Sequence, residues 1–136
     1  VLQEQWRKCL FGMDRLALFG RGSQAPAAAK TARTLSINFG VQNGLFQSLR
    51  GLDECSQWIG PGWGVICFET PSEMISESES VFSRLQTQGA RCIRVIEGFP
   101  QVFSETPRPG SALDAELMVF LNLISGQIMA REYSSL

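Results

Sequence analysis

Apolar residues follow two rhythms along this chain, and the two meet most clearly between residues 63 and 97. Gly64-Val65-Ile66-Cys67-Phe68 is apolar at every position, as a strand covered on both faces must be, because none of its side chains is left to meet water. Pro71, flanked by the hydroxyls of Thr70 and Ser72, predicts a helix start. Met74, Ile75, Ser78, Val81, Phe82 and Leu85 then recur at steps of three and four, with Glu73, Glu77, Glu79 and Arg84 on the other side. Gly89 supplies a left-handed stop, and Cys92-Ile93-Arg94-Val95-Ile96 resumes an extended apolar run. A crossover of this length joins parallel neighbours, so 63–97 reads as one strand–helix–strand unit.

The flanks are read by the same periodicities. Residues 2–19 put Leu2, Trp6, Cys9, Leu10, Met13, Leu16 and Ala17 at helical spacing and predict one amphipathic helix. Gly20-Arg21-Gly22-Ser23 breaks it. A phosphate-cradling loop needs a strand before its glycines and a helix after them; with a helix expected upstream, residues 20–25 read as a flexible connection. Residues 25–30 begin a second helix with Pro26 in its first turn. Residues 34–46 carry both a period-two alternation and a helical stripe, and the helical run upstream favours helix. Residues 45–58 predict a further helix, or two short ones broken near Gly51, and Gly60-Pro61-Gly62 a turn.

Residues 98–110, framed by Pro100, Pro107 and Pro109, predict a long loop at the carboxyl end of a parallel strand, where open α/β sheets hold ligands. Residues 113–129 are densely apolar and begin with good helix formers, which favours a C-terminal helix, capped by Ser111 or Asp114, over a third strand at 117–123. The fold class expected is α/β: a small parallel sheet with a central βαβ unit at 63–97, a helical N-terminal half and a C-terminal helix. It forms one domain over 1–136, helical at 1–59 and α/β at 60–136.

Composition narrows the function classes. Among 136 residues, 44% are hydrophobic and 18% charged, which fits a domain with a real core and argues against intrinsic disorder. The net charge of −1 gives no support for nucleic-acid binding. Residues 1–54 carry more Lys and Arg than acids and residues 55–136 the reverse. No histidine is present, which removes the commonest zinc ligand and every Ser-His or Cys-His nucleophile arrangement. Cys9, Cys55, Cys67 and Cys92 show no paired spacing and read as small buried thiols of a reducing compartment. With no apolar run long enough to span a bilayer, the expected location is cytoplasmic. The sequence starts at Val1, which leaves room for a longer parent protein.

Motif searches find no nucleotide-binding or hydrolase signature, and no cofactor or metal is predicted. The sparse charge and bulky apolar helices favour a non-enzymatic protein-interaction domain: an adaptor, a chaperone-like subunit or a piece of a larger assembly, with homo-oligomers compatible. Trp6, Leu10 and Met13 are its expected partner surface, with Phe99 and Phe103 second. The rival reading is a small-molecule or nucleotide-binding Rossmann-like module, with Thr70, Ser72, Glu69, Glu97 and the 98–110 loop at the sheet edge. Glu69 and Glu97, each ending a predicted strand, could share a proton or a divalent ion there.

The strand at 63–68, the helix ending Leu85-Gln86-Thr87-Gln88-Gly89 and the strand at 91–96 resemble Rossmann-like units. A similar order occurs in the structural half of polyketide synthase ketoreductase domains, a half that holds no active site. The resemblance implies a fold and carries no functional residue.

Overall fold

A computed structural model describes residues 1–70, 76–103 and 115–136. Along the chain come α1 (Leu2–Leu10), β1 (Arg15–Gly20), α2 (Ala25–Arg33), β2 (Asn43–Phe46), α3 (Leu49–Glu54), β3 (Trp63–Glu69), α4 (Ser76–Thr87), β4 (Arg91–Ile96), β5 (Phe99–Val102) and α5 (Ala115–Ser134). The strands form one sheet in the order β2-β1-β3-β4-β5. Its first four members are parallel, and β5 runs antiparallel on β4. Crossovers leave β1 and β3 in opposite directions, so the sheet is covered on both sides. Leu16, Leu18, Ile66, Phe68, Ile93 and Val95 face α1, α2 and α5, while Ala17, Phe19, Val65, Cys67 and Cys92 face α3 and α4. Among the described residues no helix is long and apolar enough to cross a membrane.

The α/β class, the 63–97 unit and the C-terminal helix are as expected. Pro71, Ser72, Ser111 and Asp114 lie outside the described residues. In the N-terminal half the helices expected at 2–19 and 34–46 give up part of their length to strands. α1 ends at Leu10, and Gly12 turns the chain with φ +83°. The rest of that segment is β1, buried at every position after Arg15. Leu16-Ala17-Leu18-Phe19 is apolar throughout, a run that a helix face and a doubly covered strand share, and burial between two helical layers decides for strand. α2 continues through a wider helical turn at Thr34–Asn38. Gly40 then turns with φ +66°, and β2 comes next. Of the helix expected at 45–58, Leu45 and Phe46 instead end β2, and the rest holds two short helical pieces, Leu49–Glu54 and Ser56–Trp58, broken at Cys55 and not at Gly51.

The loop expected at 98–110 begins as a strand. Glu97 and Gly98 both have positive φ, 54° and 80°, the geometry of a tight hairpin whose twist matches its strands. Pro100 is compatible with β5 because β5 is an edge strand, with one side free of ladder bonds.

Candidate functional site

In-register pairing of Gly20 with Phe68 and of Glu69 with Ile96 brings the carboxyl ends of β1, β3 and β4 to one edge of the sheet. The strand order reverses between β1 and β3, and in open α/β sheets ligands bind in the crevice beyond the carboxyl ends at such a switch point. At this edge β1 runs into Gly20-Arg21-Gly22-Ser23: an extended Arg21, Gly22 with φ +58°, a 3-10 turn at Gly22–Gln24 and then α2. Gln24, at the N-cap of α2, makes no side-chain capping bond. The strand-before, helix-after context that a Gly-rich anion loop requires is therefore met. Gly20 is needed by close approach, since a Cβ on it would lie 2.5 Å from the Gln24 carbonyl oxygen and 2.8 Å from the Ala28 Cβ.

On the α4 side of the same edge stands a buried charged group. Arg94 Nη2 donates to Glu79 Oε1 at 2.6 Å, and its Nε lies 3.2 Å from Glu69 Oε2, close enough for an ion pair but not aligned as a hydrogen bond. The guanidinium carbon sits 4.3 Å from the centre of the Phe103 ring. Two effects compete on Glu69. Burial disfavours its charged form and Arg94 favours it; burial is the larger, with Glu79 adding to it and Arg21 opposing, and the carboxyl is pushed up to about 7. Burial likewise pushes Cys92 up to about 12 and Cys67 well above the usual thiol range, so neither is a ready thiolate. Cys9, Cys67 and Cys92 are buried and Cys55 is half-buried.

One side chain from the opposite layer reaches all three strand ends. Asn122 of α5, wholly buried, donates from Nδ2 to Gln24 Oε1 at 2.6 Å and to the Glu69 carbonyl at 3.3 Å. Its Oδ1 accepts from the Gly98 amide at 2.7 Å. Gln24 Nε2, also buried, has no partner among the described residues.

No family model matches this sequence, and no curated protein does. Solved structures do. Glucosamine-6-phosphate deaminase from Thermotoga maritima superposes with a TM-score of 0.72 at 16% identity, over 98% of this chain and 41% of its own. The C-terminal domain of glucosamine-fructose-6-phosphate aminotransferase from Francisella tularensis gives 0.74 at 13% identity, over 98% of this chain and 40% of its own. The likeness is one of fold. This chain spans about two-fifths of the length of either protein.

The residues expected to matter fall into three places. Trp6, Leu10 and Met13 are core: Trp6 and Leu10 are fully buried, and Trp6 Nε1 donates to Ser125 Oγ at 2.9 Å. The partner surface expected there is therefore corrected, because α1 turns its bulky stripe onto α5 and the sheet. Phe103 is buried against Phe82 and Arg94, while Phe99, half-buried, opens β5. Glu69 and Thr70 do lie at the carboxyl edge, both buried. Glu97 is half-buried in the hairpin turn, and the charges that act on Glu69 are those of Arg94, Glu79 and Arg21. Glu69 is paired with Arg94. Among the described residues no group of three metal-ligating side chains forms.

Sequence reasoning missed Arg21, Gln24, Arg94 and Asn122. For Arg94 the signal was a cation inside an apolar strand, and for Asn122 an amide inside Leu121-Asn122-Leu123. A wide groove of about 740 Å³ lies elsewhere, between Asp14, Arg15, Asn43 and Trp63 at the amino end of the strands. There the Asn43 amide is already engaged by the Ala32 and Val41 carbonyls, and no Gly-rich strand-to-helix loop opens onto it, so the carboxyl edge is the better candidate.

Proposed function

We propose that this chain binds a small phosphorylated ligand of the sugar-phosphate class at the carboxyl edge of its parallel strands. The observation that carries this reading is the Gly20-Arg21-Gly22-Ser23 loop, set between β1 and α2 at the point where the strand order reverses. A phosphate there meets the amide end of α2, backbone that glycine allows to approach closely, and the Arg21 guanidinium. The two proteins that share the fold are named for hexose 6-phosphate chemistry, which supports the ligand class.

Thermal unfolding with glucosamine 6-phosphate, fructose 6-phosphate, inorganic phosphate and unphosphorylated glucosamine tests it. A sugar phosphate at about a hundred times its dissociation constant adds roughly 2.7 kcal/mol and raises the midpoint by several degrees. Arg21→Gln is expected to weaken that response and glucosamine to give none. No response to either sugar phosphate overturns the reading.

A second reading, a protein-interaction domain, draws support from a different surface. Leu117, Phe120 and Ile124 recur at helical spacing on α5 and are exposed, Phe120 by 57%. Phe120→Asp is expected to leave stability within about 0.5 kcal/mol and to abolish any self-association of the chain seen by sedimentation. Sedimentation of both proteins as monomers removes the homo-oligomer form of this reading.

A further inference from the structure

Three backbone segments compose the carboxyl edge, and each comes from a different strand end: the turn carrying Gln24 after β1, Glu69 at the end of β3, and Gly98 in the hairpin after β4. Nothing covalent within the edge fixes their relative positions. Asn122 holds all three at once, with one amide hydrogen to Gln24, one to the Glu69 carbonyl and its oxygen on the Gly98 amide. Because Asn122 is fully buried, each bond it lost would leave a group without water to replace the partner. The backbone of α5 is also held close here, since a Cβ on Gly98 would lie 2.9 Å from the Leu121 carbonyl oxygen. One turn further along α5, Ser125 receives the Trp6 indole, which anchors the helix that presents Asn122.

We propose that Asn122 is the positioning residue of the carboxyl-edge site: a side chain that touches no ligand itself and sets the relative position of the three segments that form the edge. The proposal rests on the sugar-phosphate reading only for its ligand. An amide is suited to the task because it donates twice and accepts in one plane. Aspartate keeps the acceptor that Gly98 uses and loses the donor that the Glu69 carbonyl uses, while Gln24 can turn its amide so that the unpartnered Nε2 donates to the new carboxylate. Alanine loses both.

Amide hydrogen exchange by mass spectrometry tests the proposal without any ligand. Asn122→Ala is expected to raise exchange together at residues 20–24, 69–70 and 97–98, and Asn122→Asp most at 69–70, whose carbonyl alone loses its donor. Met129→Ala, a core truncation seven residues along the same helix, is the control for general destabilisation. In the ligand arm, the dissociation constant for glucosamine 6-phosphate rises by about tenfold or more in both Asn122 variants, since loss of orienting contacts acts on affinity, while Met129→Ala lowers the melting midpoint without changing it. Should Asn122→Ala fail to fold, Asn122→Asp, which keeps the side-chain shape, decides. Exchange in the Asn122 variants that matches the Met129 control in distribution overturns the proposal. A wild-type chain that binds no sugar phosphate overturns the binding reading alone, and exchange then still decides whether Asn122 sets the loops.

Discussion

Trp6→Ala is expected to lower the melting midpoint by more than about 10 °C and to bring the protein close to unfolding at physiological temperature. Trp6 is fully buried where α1 meets α5. Truncating an aromatic of this size in a packed core costs about 3–5 kcal/mol, through lost transfer energy and the cavity left behind. The Ser125 hydroxyl adds to the loss, since the indole donates to it at 2.9 Å in a dry environment. A domain of ordinary stability has roughly 5–15 kcal/mol in all. Trp58, exposed by 66%, is the internal contrast, and Trp58→Ala is expected to change stability little. Circular dichroism melts of both variants check the pair. A Trp6→Ala protein that melts like wild type and fails only to capture a partner would restore α1 as a docking surface.

Between pH 4.5 and 7 the wild-type protein is expected to lose stability as pH rises, by up to about 3 kcal/mol. The sign comes from Glu69, whose carboxyl is moved from 4.5 to about 7, first by burial, against the pull of Arg94. A carboxyl whose folded value is raised contributes stability fully below its unfolded value, and that contribution is gone once the pH passes its folded value. Glu69→Gln mimics the protonated form. It should flatten the profile across this window and exceed the wild type in stability above pH 7, with Arg94 still held by Glu79 at 2.6 Å. Urea unfolding at several pH values measures this. Stability that climbs through the same window would mean that Arg94 outweighs burial and that Glu69 behaves as an ordinary salt-bridged carboxylate.

The strand–helix–strand at the middle of the chain was legible because its period, its glycine stop and its apolar runs agree with one another. β1 was not, because Leu16-Ala17-Leu18-Phe19 satisfies a helix face and a covered strand equally, and only the layer packed on each side separates them. The stop at Gly12 was the available clue. That single misreading also hid the candidate site: with a helix expected before Gly20, the loop lost the strand its chemistry requires. The role of Asn122 depends on three contacts of high sequence separation, and no local pattern encodes them.

The hairpin at Glu97-Gly98 has a consequence for how copies of this molecule can meet. By folding β5 back against the parallel strands, it ends the sheet on that side with a short strand in which Pro100 removes a donor. Such an edge offers a poor template for another chain. The opposite edge, β2, is four residues long, little more than a single repeat of main-chain pairing. Sheet-to-sheet growth is thus discouraged at both ends.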